Sequence, residues 1–259
     1  MNDYYKNIKI LVIGDSCTDV FIYGNNFRLA PEGPAPVFNP VLTKSNGGMA
    51  LNVHANIKAI GAEVTLITQK EEIYKTRYVD ERTNSLLLRV DTNDKASRIS
   101  QDIIDQIKSN KFNDKHFDAI IISDYCKGFL NEEDIEKIAK NNQTVFLDTK
   151  KVLGDWCSNC DFIKINHIEF EKTKHTIDKL DLYNNLIITH AHKGCEYQNE
   201  IYPVEQVAIK DMSGAGDTFI SGLVCEFILI VEIVSLIDSY MFLSHCARNS
   251  VMKSLFVTI

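Results

Sequence analysis

Short apolar runs alternate with amphipathic segments along this chain, and this alternation constrains its fold more than any other feature. The runs are four to six residues long and nearly continuous, as in parallel strands that are buried on both faces. Segments with helical spacing separate them. The pattern predicts a three-layer α/β/α fold, in which helices cover both faces of a mainly parallel central sheet. The predicted strands are 8–13, 64–68, 119–123, 145–148, 162–165 and 186–189, and the predicted helices are 49–60, 100–109, 131–140, 215–231 and 235–252.

Length and composition predict one domain. The chain has 259 residues, of which 45% are hydrophobic and 24% charged, so it can bury one large core. We expect residues 1–259 to form a single domain with a small appendage where the alternation breaks. Residues 23–45 hold four of the five prolines, which excludes a regular helix. Residues 75–79 and 86–90 are short β-like runs joined by the polar turn 80–85.

Charge and hydropathy exclude several classes of partner. The net charge is −7, and no long block of Lys or Arg is present, which argues against a surface that binds duplex nucleic acid. Residues 1–7 are polar and carry no apolar signal core. Glu226 and Glu232 bracket the apolar run 227–231, which is too short for a membrane span and is typical of a buried helix. We therefore expect a cytoplasmic protein that binds neither nucleic acid nor membrane.

The cysteines favour free thiols. Seven of them, an odd number, are scattered along the chain, unlike a disulfide framework. Cys157 and Cys160 have the C-x-x-C spacing of half a zinc site or of a redox pair. No second C-x-x-C and no nearby pair of histidines completes a tetrahedral set. The alternative is a loop ahead of the strand 162–165.

The most specific chemical pattern lies at 211–218, where Gly-Ala-Gly and an Asp stand at the start of the predicted helix 215–231. Small residues at a helix start leave backbone N–H groups free, and with the helix dipole they form an anion site. Asp217 lies in the first turn, beside the place of a phosphate. A carboxylate repels a phosphate, so a base that takes the proton from an attacking hydroxyl is the better explanation. The alternative is a glycine turn whose acid favours the helix dipole.

Four separated motifs resemble those of the ribokinase-like (PfkB) family of sugar kinases, in the family's order. They are D-M-S-G-A-G-D at 211–217, similar to the signature D-T-x-G-A-G-D; I-L-V-I-G-D at 10–15 with Asp19; N-G-G-M-A-L-N at 46–52; and N-H-I-E at 166–169. The resemblance implies a ribokinase-like three-layer α/β/α fold with a small β lid, at approximately 20–46 and 72–92, over the sugar. It also implies phosphoryl transfer from ATP to a sugar hydroxyl.

Within this family, segments 28–37, 75–77, 88–91 and 123–128 resemble the D-glycero-β-D-manno-heptose 7-phosphate 1-kinases. One segment departs from the family. After the strand that ends near Thr68, the family has a helix, another strand and part of the lid, whereas only residues 69–74 separate Thr68 from Lys75 here. This loss predicts a smaller sheet and a more open sugar cleft.

The resemblance assigns roles in phosphoryl transfer, a reaction that needs positioning and charge neutralisation. Asp217 would deprotonate the sugar hydroxyl. The N–H groups of Gly214, Ala215 and Gly216 would hold the oxygens of the transferring phosphoryl group.

On the nucleotide side, Asn166 and Glu169 are three residues apart and share a face if helical, where they would orient Mg²⁺ and its waters. The alternative for this pair is a helix cap with a first-turn acid. T-H-A-H-K-G at 189–194 resembles the family's turn near the phosphates and ribose, and the resemblance also admits a monovalent cation. The residues implied for nucleotide or Mg²⁺ are Asn166, Glu169, Thr189, Lys193, Gly194, Ser213 and Ser244.

Sugar binding is predicted at the C-terminal end of the first strand, where open α/β sheets bind ligands. Carboxylates there accept hydrogen bonds from hydroxyls, and glycines allow close approach. A phosphate on the sugar needs a cationic anchor, which Arg provides bidentately and Lys as a point charge; the alternative for these cations is an exposed lid face. Glu32 is implied by the resemblance alone. The residues predicted for the sugar and its phosphate are Asp15, Asp19, Glu32, Gly47, Gly48, Asn52, Lys75, Arg77, Arg89 and Lys127.

We therefore expect an ATP- and Mg²⁺-dependent kinase for a sugar or sugar phosphate, most similar to the heptose 7-phosphate kinases. The alternatives are a kinase for an unphosphorylated sugar and a non-catalytic relative that binds sugar or nucleotide. Phe27, Val37 and Phe38 lie in a loop-rich region that is too small to bury them alone. They predict a homodimer joined through the lid.

Overall fold

The computed structural model describes residues 3–204 and 214–237. The strands in these residues are β1 (Lys9–Gly14), β2 (Ser16–Leu29), β3 (Pro36–Met49), β4 (Glu63–Ile67), β5 (Tyr74–Asp80), β6 (Leu86–Thr92), β7 (Lys111–Phe112), β8 (Lys115–His116), β9 (Ala119–Asp124), β10 (Val145–Thr149), β11 (Phe162–Asn166), β12 (Leu186–Thr189), β13 (Cys195–Tyr197) and β14 (Glu200–Tyr202). The α-helices are α1 (Ala50–Ile60), α2 (Gln101–Gln106), α3 (Glu132–Asn141), α4 (His167–Leu180) and α5 (Ala215–Ile237).

The central sheet has the strand order β14-β13-β12-β11-β10-β9-β1-β4. Its strands from β12 to β4 pair in parallel, and β13 and β14 add an antiparallel hairpin at one edge. All six predicted strands are present, each with its ends within one residue of the prediction. The predicted α/β fold with a mainly parallel sheet is therefore confirmed. The hairpin strands β13 and β14 are three residues each, too short to form a recognisable apolar run.

Helices cover both faces of this sheet. On one face, α1 and α5 pack against strand residues that include Val12 and Phe146. On the other face, α2, α3 and α4 pack against the alternate residues, such as Leu11 and Leu147. Because successive strand residues point to opposite faces, one continuous apolar run supplies both cores.

Local chemistry sets two helix ends. Gly61 follows α1 in the left-handed region, at φ 115°, and its N–H donates to the Ile57 carbonyl. Asn131 and Asp134 form a reciprocal capping box at the start of α3. The predicted helix 100–109 is shorter than expected. It ends at Gln106, since the next residue leaves the helical region with ψ 88°.

Helix α4 is missing from the sequence-based prediction. Its buried positions are Glu169, Thr173 and Ile177, so a single aliphatic residue marks its inner stripe and the hydrophobic periodicity is weak. The predicted helix 215–231 is present within α5. Of the predicted helix 235–252, only 235–237 belong to the described residues, where they continue α5.

The C-x-x-C pair lies in the turn ahead of β11, in agreement with the loop alternative. Cys157 and Cys160 are buried free thiols, and the Cys157 Sγ lies 3.0 Å from the Gly154 carbonyl. Burial raises the pKa of Cys157 to about 11 and the pKa of Cys160 well above its ordinary value. Within 3–204 and 214–237, no three His, Cys, Asp or Glu side chains come together in a way that could hold a metal ion.

A second sheet has the order β3-β2-β5-β6 and contains both segments in which the alternation breaks. β2 and β3 form a long hairpin, in which Pro36 is the first residue of β3 and Pro40 lies beside a register shift, positions that tolerate proline. β5 pairs in parallel with β2 and antiparallel with β6. The β-like runs 75–79 and 86–90 are thus confirmed as strands. The Asp80 carboxylate accepts the N–H groups of Arg82 and Thr83 in the turn between them.

Candidate active site

The C-terminal ends of the parallel strands meet at one edge of the central sheet. Tyr125 directly follows β9, Lys150 follows β10, and Asn166 and Thr189 are the last residues of β11 and β12. The first turn of α5 reaches the same edge, since the Asp217 side chain contacts Tyr125. Three predicted site residues, Asn166, Thr189 and Asp217, therefore lie at this edge, although they come from distant parts of the chain.

Asp217 is the best-defined group of the site. Its side chain is buried, and two donors from other elements hold its carboxylate: Asn52 Nδ2 of α1 lies 2.8 Å from Oδ2, and the Tyr125 hydroxyl lies 2.6 Å from Oδ1. Burial raises the pKa of Asp217, and the hydrogen bonds from Tyr125 and Asn52 lower it in part. Asn52, predicted as a sugar ligand, is thus in direct contact with the predicted base.

The N-terminus of α5 forms a cradle that only small residues can line. The first intrahelical bond runs from the Thr218 N–H to the Gly214 carbonyl, so the N–H groups before Thr218 have no partner within the helix. Gly214 has φ 76°, and a Cβ there would lie 2.5 Å from Asn52 Nδ2. A Cβ on Gly216 would lie 2.8 Å from Lys164 Nζ. The geometry and charge of this helix start suit a phosphate.

A buried ion pair lies beneath this cradle and was not predicted. Lys164 Nζ is 2.8 Å from Asp148 Oδ2, and both side chains are almost fully buried. The two residues are neighbours in the β10–β11 register. Asp148 Oδ1 has no hydrogen-bond partner among the described residues. Lys164 thus places a positive charge directly under the start of α5.

Asp15 organises the loop after β9. Its buried carboxylate accepts the backbone N–H groups of Tyr125 at 2.8 Å, Lys127 at 3.0 Å and Phe129 at 3.2 Å. Burial and the neighbouring Asp124 raise the pKa of Asp15, whereas these three hydrogen bonds lower it. The carboxylate is therefore engaged by the protein itself. Contact between Asp15 and a sugar stays a prediction.

Asp19 lies on β2 of the second sheet, and its carboxylate approaches Gly48 of β3. Arg77 Nη1 donates to Asp19 Oδ1 at 2.5 Å, and both side chains are mostly buried. A Cβ on Gly48 would lie 2.3 Å from Asp19 Oδ2, so only glycine leaves room for this carboxylate. A Cβ on Gly47 would instead meet Leu51 of α1 at 2.5 Å. The predicted sugar residues Asp19 and Gly48 and the predicted anchor Arg77 are thereby brought together.

The other predicted cationic anchors form a charged network at the base of the second sheet. Lys75 Nζ lies 3.2 Å from Asp91 and 3.1 Å from Asp94, and Lys127 Nζ lies 2.5 Å from Asp94. Arg89 donates two hydrogen bonds to Asp91, at 2.7 and 2.8 Å. The hydrogen bonds from Arg89, with Lys75, lower the pKa of Asp91 to about 2.

Asn166 and Glu169 form a capping box at the start of α4, the alternative considered for this pair. The Asn166 side chain accepts the N–H groups of Ile168 and Glu169, and Glu169 Oε2 accepts the Asn166 N–H at 2.7 Å. Glu169 Oε1 lies 2.6 Å from Lys150 Nζ. Burial alone would lower the pKa of Lys150, but Asp148, Glu169 and Asp217 outweigh burial and raise it. Mg²⁺ binding by this pair stays a prediction.

The remaining predicted residues are less closely grouped. Thr189 is paired with Asn166 across β11 and β12, and the exposed Lys193 and buried Gly194 follow in the next turn. A Cβ on Gly194 would lie 2.0 Å from the Tyr202 carbonyl, so β14 requires glycine there. Glu32 is exposed at the tip of the β2–β3 hairpin. Ser213 and Ser244 lie outside the described residues. The nucleotide and monovalent-cation contacts expected of the C-terminal segment lie outside them as well.

Sequence reasoning missed four residues that contact the site: Tyr125, Asp148, Lys150 and Lys164. Tyr125 enters the sequence analysis only as part of the segment 123–128. A signal exists for Asp148, since a polar residue at the end of a buried apolar strand is at the ligand-binding edge of a parallel sheet. Asp148 is the last residue of the predicted strand 145–148 and Lys150 follows two residues later, whereas Lys164 lies one residue before the end of 162–165.

Comparisons with known proteins identify the family of this chain. A model described as pfkB family carbohydrate kinase matches residues 72–248. The chain is similar to the Bifunctional protein HldE of Helicobacter pylori (strain HPAG1), with 26% identity over 296 residues that cover 95% of this chain and 63% of that protein. The chain thus spans about 63% of the length of this relative.

Two solved structures resemble the fold. One is a nucleoside kinase of Methanocaldococcus jannaschii, described as an archaeal member of the ribokinase family, with TM-score 0.59 and 16% identity over 86% of this chain and 85% of that chain. The other is a ribokinase from Thermotoga maritima, with TM-score 0.57 and 13% identity over 97% of this chain and 100% of that chain. At these identities the likeness concerns the fold alone, which is that of ribokinase. None of the helices described here has the length and apolar character that crossing a membrane requires.

Proposed function

This chain belongs to the pfkB family of carbohydrate kinases and is therefore an ATP-dependent sugar kinase. We propose that it phosphorylates a sugar that already carries a phosphate and that Asp217 is the general base. The substrate class that we propose is a heptose 7-phosphate. The proposal extends the resemblance of segments 28–37, 75–77, 88–91 and 123–128 to the kinases of that sugar.

One observation carries the catalytic part of the proposal: a buried carboxylate lies in the first turn of a helix, next to N–H groups that have no partner within that helix. Asp217 is held from two sides by Asn52 and Tyr125, and its position next to Gly216 sets it beside the phosphate cradle. A base in this position takes the proton of the attacking hydroxyl, while the N–H groups of Gly214, Ala215 and Gly216 hold the transferring phosphoryl oxygens.

The residues at this edge suit ATP and Mg²⁺. When bound, ATP supplies the phosphoryl group and Mg²⁺ neutralises part of its charge. The glycines leave a cradle that a Cβ would fill, and Lys164 adds positive charge beneath it. Asn166 and Glu169 offer the oxygen ligands that Mg²⁺ prefers, directly or through water. A bound cation there would compete with Lys150 for the Glu169 carboxylate.

The charges of the second sheet support a phosphorylated substrate. Lys75, Arg77 and Arg89 of this sheet and Lys127 of the adjoining β9 loop pair with three carboxylates, those of Asp19, Asp91 and Asp94, so cations outnumber anions by one among these seven residues. Arg77 and Arg89 are directly opposite each other in the β5–β6 register and thus share one face of the sheet. A sugar phosphate on that face would compete with these carboxylates for the Arg and Lys donors.

We further propose that the second sheet is a lid that joins two copies of the chain through its outer face. Tyr78 pairs with Leu88 on the face opposite to Arg77 and Arg89. Leu88 and Val90 are 56% and 41% exposed, and Phe38 packs edge-on against Tyr78. A contiguous apolar face on a small sheet is characteristic of a subunit interface.

An assay of ADP release tests the substrate. The purified chain is given ATP, Mg²⁺ and one of four sugars: D-glycero-D-manno-heptose 7-phosphate, ribose, fructose or fructose 6-phosphate. We expect the highest kcat/KM with the heptose 7-phosphate. A preference for ribose or fructose would favour a kinase for an unphosphorylated sugar. Nucleotide-dependent thermal stabilisation without ADP release on any sugar would favour the non-catalytic alternative.

A further inference from the structure

We propose that Tyr125 is a positioning residue for Asp217, which holds the carboxylate in one orientation and keeps it ionised for proton abstraction. The proposal rests on the proposed function of Asp217 and adds a residue to it. Tyr125 lies in the loop after β9, and its hydroxyl donates to Asp217 Oδ1 at 2.6 Å. Asn52 holds the other carboxylate oxygen from α1, so the two contacts together fix the rotation of the carboxylate.

The backbone of Tyr125, like its hydroxyl, is fixed by a hydrogen bond. Its N–H donates to the buried Asp15 carboxylate at 2.8 Å. The same carboxylate accepts the N–H groups of Lys127 and Phe129, so the whole loop is tied to the end of β1. Asp15 thus fixes the backbone of Tyr125, and the Tyr125 hydroxyl fixes the Asp217 carboxylate. The buried Asp15 therefore supports the site indirectly, although its own oxygens already accept backbone hydrogen bonds.

The ring of Tyr125 is fixed on both sides. Lys150 Nζ lies 5.2 Å from the ring centroid, within the range of a cation–π contact, and it is also paired with Glu169. The ring also packs against a small apolar cluster of Cys17, Met49 and Ile73, at the junction of the two sheets. These contacts involve the ring rather than the hydroxyl. Removal of the hydroxyl alone therefore leaves the packing in place.

The charges around Asp217 explain why it needs this donor. Burial raises the pKa of Asp217, as does Asp148 of β10 to a smaller extent, whereas Lys164 of β11 lowers it. Lys150 after β10 and the Cys17 thiol of β2 also interact with Asp217. Burial, with the nearby Asp148 and Asp217 carboxylates, raises the pKa of Tyr125, so the phenol remains a proton donor over the working pH range. Its hydrogen bond stabilises the ionised form of Asp217 against burial and Asp148.

The variant Tyr125→Phe removes only this donor. Its control is Tyr183→Phe, which removes a hydrogen bond of the same kind, from the Tyr183 hydroxyl to Asp178 at 2.7 Å, away from the site. The first measurement is a ¹³C NMR titration of the Asp carboxyl groups, with the Asp217 signal assigned by its loss in Asp217→Asn. This measurement needs no turnover. The second is the pH profile of kcat with ATP and D-glycero-D-manno-heptose 7-phosphate.

In Tyr125→Phe we expect the Asp217 titration and the acid limb of kcat to move about one pH unit upward, which lowers kcat on that limb about tenfold. Tyr183→Phe should match the wild type. Replacement of Tyr125 by 3-fluorotyrosine, a stronger donor that keeps the ring, should move both downward, and it tests the same contact if Tyr125→Phe folds poorly. An unchanged Asp217 titration in either variant overturns the proposal. Absence of turnover in the wild type would instead count against the proposed function, while the titration still decides the role of Tyr125.

Discussion

At the residue scale, Asp217 has the sharpest expected phenotype. Asp217→Asn keeps the size of the side chain but cannot accept the sugar proton. General base catalysis contributes about 10²–10⁴-fold, so kcat should fall by at least about a hundredfold. Nucleotide affinity should hold or rise slightly, because a negative charge beside the phosphates is gone.

The matched control for this variant is Asp102→Asn, which removes an exposed acid from the first turn of α2. If Asp217 only supported the helix dipole, both variants would cost about 0.3–1 kcal/mol of stability and spare catalysis. Turnover number, nucleotide Kd and melting temperature of both variants separate the two roles. Near-normal turnover in folded Asp217→Asn would refute the proposed mechanism.

The raised pKa of Asp217 also predicts how stability depends on pH. Burial lifts this pKa above its ordinary value of 3.8, so the folded state binds the proton more tightly than the unfolded chain. The stabilisation from the protonated form is complete below the ordinary value and is lost as the pH rises through the raised pKa. Asp217→Asn does not titrate. The free energy of unfolding of the wild type, measured in urea at several pH values, should therefore fall relative to this variant as the pH rises through that window; a constant difference would contradict the expectation.

Arg77 and Arg89 should determine the preference for a phosphorylated sugar. A charged hydrogen bond is worth about 1.5–3 kcal/mol, so Arg77→Ala or Arg89→Ala should raise KM for the sugar phosphate roughly ten- to a hundredfold and leave ATP binding intact. Arg82→Ala is the control, since its guanidinium instead stacks 4.8 Å from the Phe27 ring centroid. If KM stays unchanged in both variants, neither arginine anchors the substrate phosphate, and their charges serve only the ion pairs with Asp19 and Asp91.

At the scale of the element, α5 contains two glycines with opposite expected responses. A Cβ added at Gly222 would meet no atom within 4 Å, so Gly222→Ala should add about 0.5–1 kcal/mol to the free energy of unfolding through helix propensity. Gly216 lies in the first turn, where a Cβ would displace Lys164 Nζ from Asp148. Gly216→Ala should therefore lower both stability and kcat. Urea unfolding and turnover of the two variants test this, and equal stability changes would show that the ion pair tolerates displacement.

At the scale of the whole molecule, the apolar outer face of the second sheet predicts a dimer. Phe27 is 67% exposed, and Val37 and Phe38 are only half-buried, so their own subunit leaves them partly uncovered. Leu88→Asp should shift the protein to monomer in sedimentation at micromolar concentration, because an unpaired carboxylate is costly in an apolar interface. The control is Ile201→Asp, at an apolar position on β14 that is also well exposed. A monomeric wild-type protein would contradict the proposed dimer.

The shortened connection after β4 also acts at the whole-molecule scale. Only residues 68–73 link β4 to β5, and β4 is the outermost strand at its edge of the central sheet among the described residues. Both observations agree with the expectation of a smaller sheet. The more open sugar cleft stays a prediction. The comparison of four sugars by ADP release addresses it.

Periodicity and local motifs were enough to predict the central strands, the positions of α1 and α3, and the glycine-rich start of α5. These features depend on hydrophobic periodicity and on residues that are only a few positions apart, so a short stretch of sequence is enough to predict them. Helix α4 was missed for the same reason, because its inner stripe holds one aliphatic residue and its stability comes from packing.

The pairing of the site residues depends on contacts between distant parts of the chain. The contacts of Asp217 with Asn52 and Tyr125 join positions 165 and 92 residues apart, and no local pattern encodes such distances. The same holds for the ion pair beneath Gly216 and for the use of the Asp15 carboxylate by the backbone of a distant loop. The sequence gives the chemistry of each side chain. A buried polar group also needs a hydrogen-bond partner within the protein, because water cannot reach it. Which residue is that partner depends on how the strands and helices pack together.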